Sequence, residues 1–293
     1  MSLVRRGYFR WWILMLLPAF FPAYSYAQWL TGGPSPLPTV APQAAYTVVD
    51  AFPGLSFPLA TDAPITMATP PGRTNELFIG GLFGKVYVIT NLLVPNKTVF
   101  LDISANTFAP GATLSESGFV GLAFHPQYAQ NRYFYVFYTR TNRLEGKTYD
   151  TISRFQTDPA NPWRALPESE QILISQWDRH DIHQAGDLHF GPDGYLYVSL
   201  GDEGTQNDQF KNSQRIDQNF FSGILRIDVD GRAGSLAPNP HSAIGTGYRI
   251  PPDNPFIGAT SFNGLPVSPT SVRTEFWAVG LRNPHRFCIA QPG

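Results

Sequence analysis

His183 and Asp202 stand near the two ends of the stretch DIHQAGDLHFGPDGYLYVSLGDEG, which runs from Asp181 to Gly204. Between them lies the turn Gly191-Pro192-Asp193-Gly194, which begins eight residues after His183 and ends eight before Asp202. An antiparallel hairpin about that turn brings the imidazole and the carboxylate to one rim. A carboxylate on one ring nitrogen fixes the tautomer and leaves the other nitrogen free as a base, which suits proton abstraction from an alcohol. A histidine merely satisfied by a loop carboxylate has the same spacing, and spacing alone favours that plainer reading.

Other residues offer chemistry nearby. Arg282-Asn283-Pro284 follows the strand EFWAVGL. A guanidinium fixed at a strand end clamps a carboxylate or polarises a carbonyl, although a surface arginine capping the turn is an equal alternative. Glu116-Ser117-Gly118 precedes FVGLAFHP and is placed to face the same channel. His180, Asp181 and His189 lack further His or Cys at ligand spacing, so no metal ligands are assigned. Asp228-Val229-Asp230-Gly231 resembles the start of a calcium loop without its closing glutamate and reads as a tight turn. The chain has no phosphate-binding loop, dinucleotide fingerprint or Gly-x-Ser-x-Gly elbow, which argues against nucleotide-dependent chemistry and serine hydrolysis.

The elements that must position these groups are short strands. Leu77-Phe78-Ile79, Lys85 to Ile89, Thr98 to Leu101, Val120 to Phe124, Tyr133 to Tyr138 and Thr151 to Phe155 are candidates. Asp187 to Phe190, Tyr195 to Leu200, Gly223 to Val229 and Phe276 to Val279 follow. Gly, Pro, Asn and Asp separate them, and long helical periodicity is absent. In Tyr195 to Leu200 both alternating sets of side chains are mostly apolar, so both faces of that strand are expected to be covered. The chain reads as all-β, with a propeller favoured over a sandwich.

Composition narrows the partners. Of 293 residues 15% are charged and 14% aromatic, and the formal net charge is -1, which offers no field for nucleic acid. Residues 1-27 read as a signal peptide, with Arg5, Arg6 and Arg10, an apolar run from Trp11 to Tyr24, and Ser25-Tyr26-Ala27 at the cleavage position. Residues 28-45 form a flexible lead-in, and 46-293 the folded domain. A periplasmic or secreted protein is expected, without a stable membrane anchor once the signal is removed. The one cysteine, Cys288, reads as a buried structural thiol.

GFVGLAFHPQY, NRYFYVFYT, HQAGDLHFGPDGYLYVSLGDEG, GILRIDVDG, YRIPPDNPF and EFWAVGLRNPHRF occur in that order from about Pro70 onward. In this sequence they resemble the quinoprotein glucose/sorbosone dehydrogenase family of soluble PQQ-dependent aldose dehydrogenases. H-Q-x-G, then G-D-x-G at this distance, then R-N-P is the specific part. The resemblance implies a six-bladed β-propeller, here incomplete at about four blades, with pyrroloquinoline quinone (PQQ) over its channel. It implies oxidation of an aldose sugar or related alcohol, with an external electron acceptor. His183 would be the base, Asp202 would orient it, and Arg282 and Asn283 would contact the quinone. Glu116, Gln184 and Asn207 would contact substrate, although glutamine is the family's residue at the place of Glu116. Calcium and further quinone-binding residues are expected beyond Gly293, so the chain reads as a fragment or as one that closes against a second copy in a homodimer. A non-catalytic extracellular propeller that binds a partner is the alternative.

Overall fold

Short aromatic-aliphatic runs pair into antiparallel sheets in the computed structural model, which describes residues 49–108, 115–204 and 206–290. The elements belong to one unit, Phe52–Gly293. The expected signal segment and most of the lead-in lie outside the described residues. The first sheet is the meander β1 (Pro64–Ala68), β2 (Leu77–Gly81), β3 (Lys85–Ile89) and β4 (Lys97–Asp102). The second is β5 (Phe119–Phe124), β6 (Tyr133–Asn142), β7 (Lys147–Thr157) and β8 (Ala165–Asp178). In the third, β9 (Ala185–Phe190), β10 (Leu196–Leu200) and β11 (Gly223–Ile227) are completed by β14 (Phe276–Val279). Between β11 and β14 the chain makes the small hairpin of β12 (Ser261–Phe262) and β13 (Leu265–Pro266). One helical turn, Tyr128–Asn131, joins β5 to β6.

The first strands of the sheets lie side by side, β1 against β5 and β5 against β9. Gly121 of β5 is where the latter approach is closest, since a Cβ there would meet the Gly186 carbonyl oxygen at 2.1 Å. Where the resemblance implies about four blades, the described residues hold three four-stranded sheets.

Period-two alternation explains why the middle strands are apolar on both sides. Along β6, Tyr135 and Phe137 enter the core shared with the third sheet, whereas Phe134, Val136 and Tyr138 enter the core shared with the first. All five are fully buried. In the latter core Phe100 packs against Phe78 at 4.7 Å and Phe134 at 5.1 Å, and Phe134 stacks on Phe155 at 5.7 Å. Such ring pairs add about 0.5–1.5 kcal/mol each beyond the area they bury. β10 is buried at every position, as the alternation of its sequence leads one to expect.

Besides the two-residue strands β12 and β13, two strands escape the sequence pattern. β8 is the longest, yet it opens ALPESEQ and shows no clean alternation. It ends its sheet in the ladder order, and its polar side chains meet solvent, the sheet's own polar groups or the neighbouring loops, as Gln176 meets the Phe220 N–H and Gln171 meets Thr246. Glu170, for example, accepts from Tyr138 Oη at 2.6 Å, Arg140 Nη1 at 2.9 Å and Ser153 Oγ at 2.9 Å. β1 begins with proline, which belongs at the start of a strand or on an edge. Cys288, expected in the core, is exposed. Its segment follows the last strand and has no sheet to pack beneath.

A buried carboxyl pair lies at the end of the β7–β8 ladder. Asp150 is opposite Gln176, and Asp178 is two residues further along the same strand face. Both Asp150 oxygens and Asp178 Oδ2 have no hydrogen-bond donor among the described residues. Burial pushes the Asp150 carboxyl well above the usual carboxylate range, and the charges of Asp178 and Glu203 add to it. Burial also raises Asp178, against the opposing hydrogen bond from the His180 N–H. The folded state therefore holds protons that the unfolded chain releases above about pH 4. This contribution to stability is complete below that pH and is lost as pH rises through the raised values. Asp150→Asn keeps the shape and removes the titration. Its thermal midpoint should gain on that of the unmodified protein as pH is raised from about 5 to about 8. A gap that stays constant with pH would show that folding does not raise the Asp150 carboxyl.

Candidate active site

The β9–β10 hairpin sets the site. Its ladder runs from Leu196 opposite Phe190 to Leu200 opposite Ala185, with a bulge between Val198 and Leu200. His183 and Asp202 lie just beyond the last pair, one on each strand. His183 Nδ1 and Asp202 Oδ1 are 2.6 Å apart, and the two side chains are only 8% and 2% exposed. The same Asp202 oxygen accepts the Gly204 N–H at 3.1 Å. A carboxylate oxygen only accepts, so Nδ1 carries a proton, and in the neutral imidazole the lone pair is then on Nε2. Nε2 makes no hydrogen bond among the described residues. Asn212 Nδ2 donates to the Asp202 carbonyl oxygen at 3.1 Å and to Glu203 Oε2 at 3.1 Å.

The chain enters β9 through a strained bend. His183 (φ 64°) and Ala185 (φ 55°) both take left-handed backbone, which is costly for residues with a Cβ and persists only where the surroundings impose it. Three sets of contacts impose it here. Glu116 Oε2 accepts the His183 N–H at 2.7 Å. Gln184 Nε2 donates to Ser117 Oγ at 3.0 Å and to the His180 carbonyl at 2.7 Å. Gly201 then admits the bend, since a Cβ at that position would lie 1.5 Å from the His183 carbonyl oxygen. Glycine is required there for space rather than for its φ.

The R-N-P segment closes the site from the far end of the third sheet. The Asp202 N–H donates to the Arg282 carbonyl oxygen at 2.9 Å. Asn283 Nδ2 donates to Glu116 Oε2 at 2.9 Å. Beyond it, Arg286 Nη2 donates to the Ile65 carbonyl at 2.9 Å and to the Val120 carbonyl at 3.3 Å, which ties the segment across β1 and β5. The Phe287 N–H donates to Asp187 Oδ2 at 3.1 Å. Burial works to raise the Asp187 carboxyl, but the hydrogen bonds from His189 and from that N–H together hold it below the usual range.

His183, Asp202, Glu116 and Asn283 are thus brought together by direct contacts, and Arg282 through its backbone. The Arg282 side chain is exposed, and no hydrogen bond or ion pair engages it among the described residues. Two residues sit differently from what the resemblance implies. Gln184 is fully buried and anchors the bend, so its amide does not face a substrate in this structure. Asn207 is exposed on the loop after Gly204, and its side chain makes none of the contacts that tie the others. Glu203 goes unnoticed in the sequence. It is 1% exposed, and it receives the Arg179 guanidinium, the Arg179 N–H at 3.1 Å and Asn212. Its adjacency to Asp202 in Gly-Asp-Glu-Gly was the available signal. Ser117 and Arg286 lie in quoted segments, but the contacts of Ser117 Oγ with Gln184 and of the Arg286 guanidinium with the Ile65 and Val120 carbonyls are not legible there.

The residues present suit a quinone. The unengaged Arg282 guanidinium is a planar fork of donors, matched to carbonyl and carboxylate oxygens. Asn283 Oδ1 is buried and has no hydrogen-bond partner among the described residues. Among the described residues no three His, Cys, Asp or Glu side chains gather as a metal site, so no calcium ligands are assigned.

Residues 104–292 match the sequence profile described as Glucose / Sorbosone dehydrogenase. Hedgehog-interacting protein of Mus musculus is 28% identical over 230 residues, covering 77% of this chain and 30% of its own. Quinoprotein glucose dehydrogenase B of Acinetobacter calcoaceticus is 25% identical over 223 residues, covering 67% of this chain and 37% of its own. The soluble aldose sugar dehydrogenase of Escherichia coli superposes with a TM-score of 0.51 at 19% identity, over 76% of this chain and 53% of that one. That last likeness is one of fold. The chain spans about a third of the length of the curated relatives and about half that of the solved structure.

The close approach at Gly201 is open to test. Gly201→Ala should cost about 1–3 kcal/mol in denaturant unfolding, by forcing the His183 backbone to move. Gly54→Ala, where nothing lies within 4 Å of the new methyl group, is the control. Equal stabilities of the two variants would remove the steric reason for glycine at Gly201.

Proposed function

The chain belongs to the glucose/sorbosone dehydrogenase family, and from that premise and the geometry of His183 we propose that it oxidises an aldose sugar or related alcohol. The observation that carries this reading is the buried contact of 2.6 Å between His183 Nδ1 and Asp202 Oδ1. It leaves Nε2 as an acceptor on an imidazole whose ring orientation is fixed. That nitrogen takes the proton of the anomeric hydroxyl as the carbon beneath it loses hydride and becomes a carbonyl. Asp202 holds the ring in place and stabilises the imidazolium that forms. Arg282 and Asn283 are the residues that would hold pyrroloquinoline quinone. The quinone, when bound, supplies the two-electron acceptor for the hydride. Arg282 would then face the oxygen on which negative charge grows, the kind of preorganised donor that lowers such a barrier.

The same reading takes the three four-stranded sheets as blades of a propeller, with the site at the ends of its inner strands. It places the protein outside the cytoplasm, periplasmic or secreted, on the strength of residues 1-27. An external acceptor would take the electrons from the quinone, and calcium would accompany it. No helix among the described residues is long and apolar enough to cross a membrane.

A second reading rests on one observation, the likeness to Hedgehog-interacting protein over a larger share of this chain than the quinoprotein covers. On that reading the sheets are an extracellular scaffold whose loops hold a protein partner. A strained, buried His–Asp pair has no evident use in such a scaffold, and this favours the dehydrogenase.

Reconstitution with PQQ and calcium, followed by bleaching of a dye acceptor in the presence of aldoses, separates the two. The dehydrogenase bleaches the dye, and His183→Ala binds the quinone while losing about 10²- to 10⁴-fold in turnover. Quinone binding with unaltered turnover in His183→Ala would remove the base. Failure of the unmodified protein to bind the quinone would leave the scaffold reading.

A further inference from the structure

Four hydrogen bonds join three distant chain segments into a closed circuit around the His183 imidazole. His183 donates its backbone N–H to Glu116 Oε2 at 2.7 Å. Its ring Nδ1 meets Asp202 Oδ1 at 2.6 Å. Asp202 donates its N–H to the Arg282 carbonyl at 2.9 Å. The next residue, Asn283, returns to Glu116 Oε2 through Nδ2 at 2.9 Å. Glu116 is the member that belongs to neither the hairpin nor the R-N-P segment. Its own position is fixed from the same bend, since the Glu116 N–H and Ser115 Oγ both donate to the Asp181 carbonyl, at 3.2 and 2.6 Å.

We propose that Glu116 is a positioning residue: one carboxylate oxygen holds the His183 backbone and the Asn283 amide together, and so sets where the imidazole stands relative to the R-N-P segment. Both donors converge on a single oxygen, and hydrogen bonds to a charged acceptor are about twice as strong as neutral ones. The bond to the His183 N–H offsets the cost of the left-handed backbone at that residue. A carboxylate cannot donate, so it also fixes the Asn283 amide with its nitrogen inward and Oδ1 turned away. Glu116 thereby acts through His183 and Asn283 rather than by touching a substrate, which is the role the resemblance implies for it. The consequence for turnover rests on the dehydrogenase reading; the consequence for the imidazole does not.

Glu116→Ala removes the acceptor, while Glu116→Gln keeps one oxygen able to accept both N–H groups. Two measurements on the full chain test the proposal. The first is nitrogen-detected NMR of the histidine rings, with His183 assigned by its loss in His183→Ala. The Nδ1–H held by Asp202 should persist in Glu116→Gln and be lost or exchange faster in Glu116→Ala, with the amide resonances of β5 to β8 unmoved. The second is steady-state kinetics after reconstitution with PQQ and calcium. Glu116→Ala should lower kcat by about 10- to 100-fold, leave KM for the aldose within about threefold, and be largely rescued in Glu116→Gln. An unchanged Nδ1–H in Glu116→Ala overturns the proposal. So does a raised KM at unchanged kcat, which would make Glu116 a substrate contact. If the unmodified protein oxidises no sugar while Glu116→Ala still loses the resonance, the positioning role stands and the dehydrogenase reading falls.

Discussion

The left-handed bend at His183–Ala185 is the constraint around which the rest of the site is arranged. A chain with ordinary side chains leaves that region of backbone space unless several contacts hold it there at once. Here they come from three places: the segment before β5 through Glu116 and Ser117, the end of β10 through Asp202 and the space at Gly201, and the end of β8 through the His180 carbonyl. None of these is adjacent to the bend in sequence, apart from His180. The bend is therefore held by contacts that exist only where the second and third sheets pack together. The reward is an imidazole fixed at one nitrogen and free at the other, in a site almost closed to water.

That packing is possible because the middle strands are apolar on both faces. β6 sends alternate aromatic side chains into two different cores, so each sheet is a wall shared by its neighbours. Loops at the strand ends can then carry polar and strained features without weakening the ladders beneath. The same arrangement leaves carboxyl groups enclosed where two sheets meet. Asp150 and Asp178 are enclosed there with their carboxyls pushed up by burial, and Glu203 is held by an arginine and an amide instead. Glu275 beside β14 is raised by burial to about 7, against the hydrogen bond that Tyr248 donates to it.

Legibility in the sequence followed the strength of local signals. β3 and β14 have in the structure the bounds their alternation gives, and β10 differs by one residue. β1 and β8 were not legible, because a strand that ends its sheet and is met there by a loop, residues 243–246, need not alternate and a strand of five residues led by proline has too little pattern. Gly223 to Val229 ends as a strand at Ile227, where Asp228 turns to cap the following loop through the N–H groups of Asp230 and Arg232. In the site, His183 and Asp202 were legible as a pair since a hairpin fixes the distance between its ends. Gln184 was named for the wrong side of the bend. A reversed backbone at His183 and Ala185 turns it into the protein, and nothing in the letters H-Q-A-G announces a left-handed histidine.

By itself the sequence determined the class of the fold and the candidate chemistry. Turn residues and period-two apolar patterns are local and additive, and the spacing of His183, Gly191-Pro192-Asp193-Gly194 and Asp202 is a property of one hairpin. Only the tertiary structure decided which groups share an oxygen, which amide faces inward and which carboxyls are enclosed. Glu116 and Asn283 are far apart along the chain, and their meeting depends on how three sheets lie against one another. Contacts of that kind are set by burial and packing summed over the whole unit, and no short window of residues contains that sum.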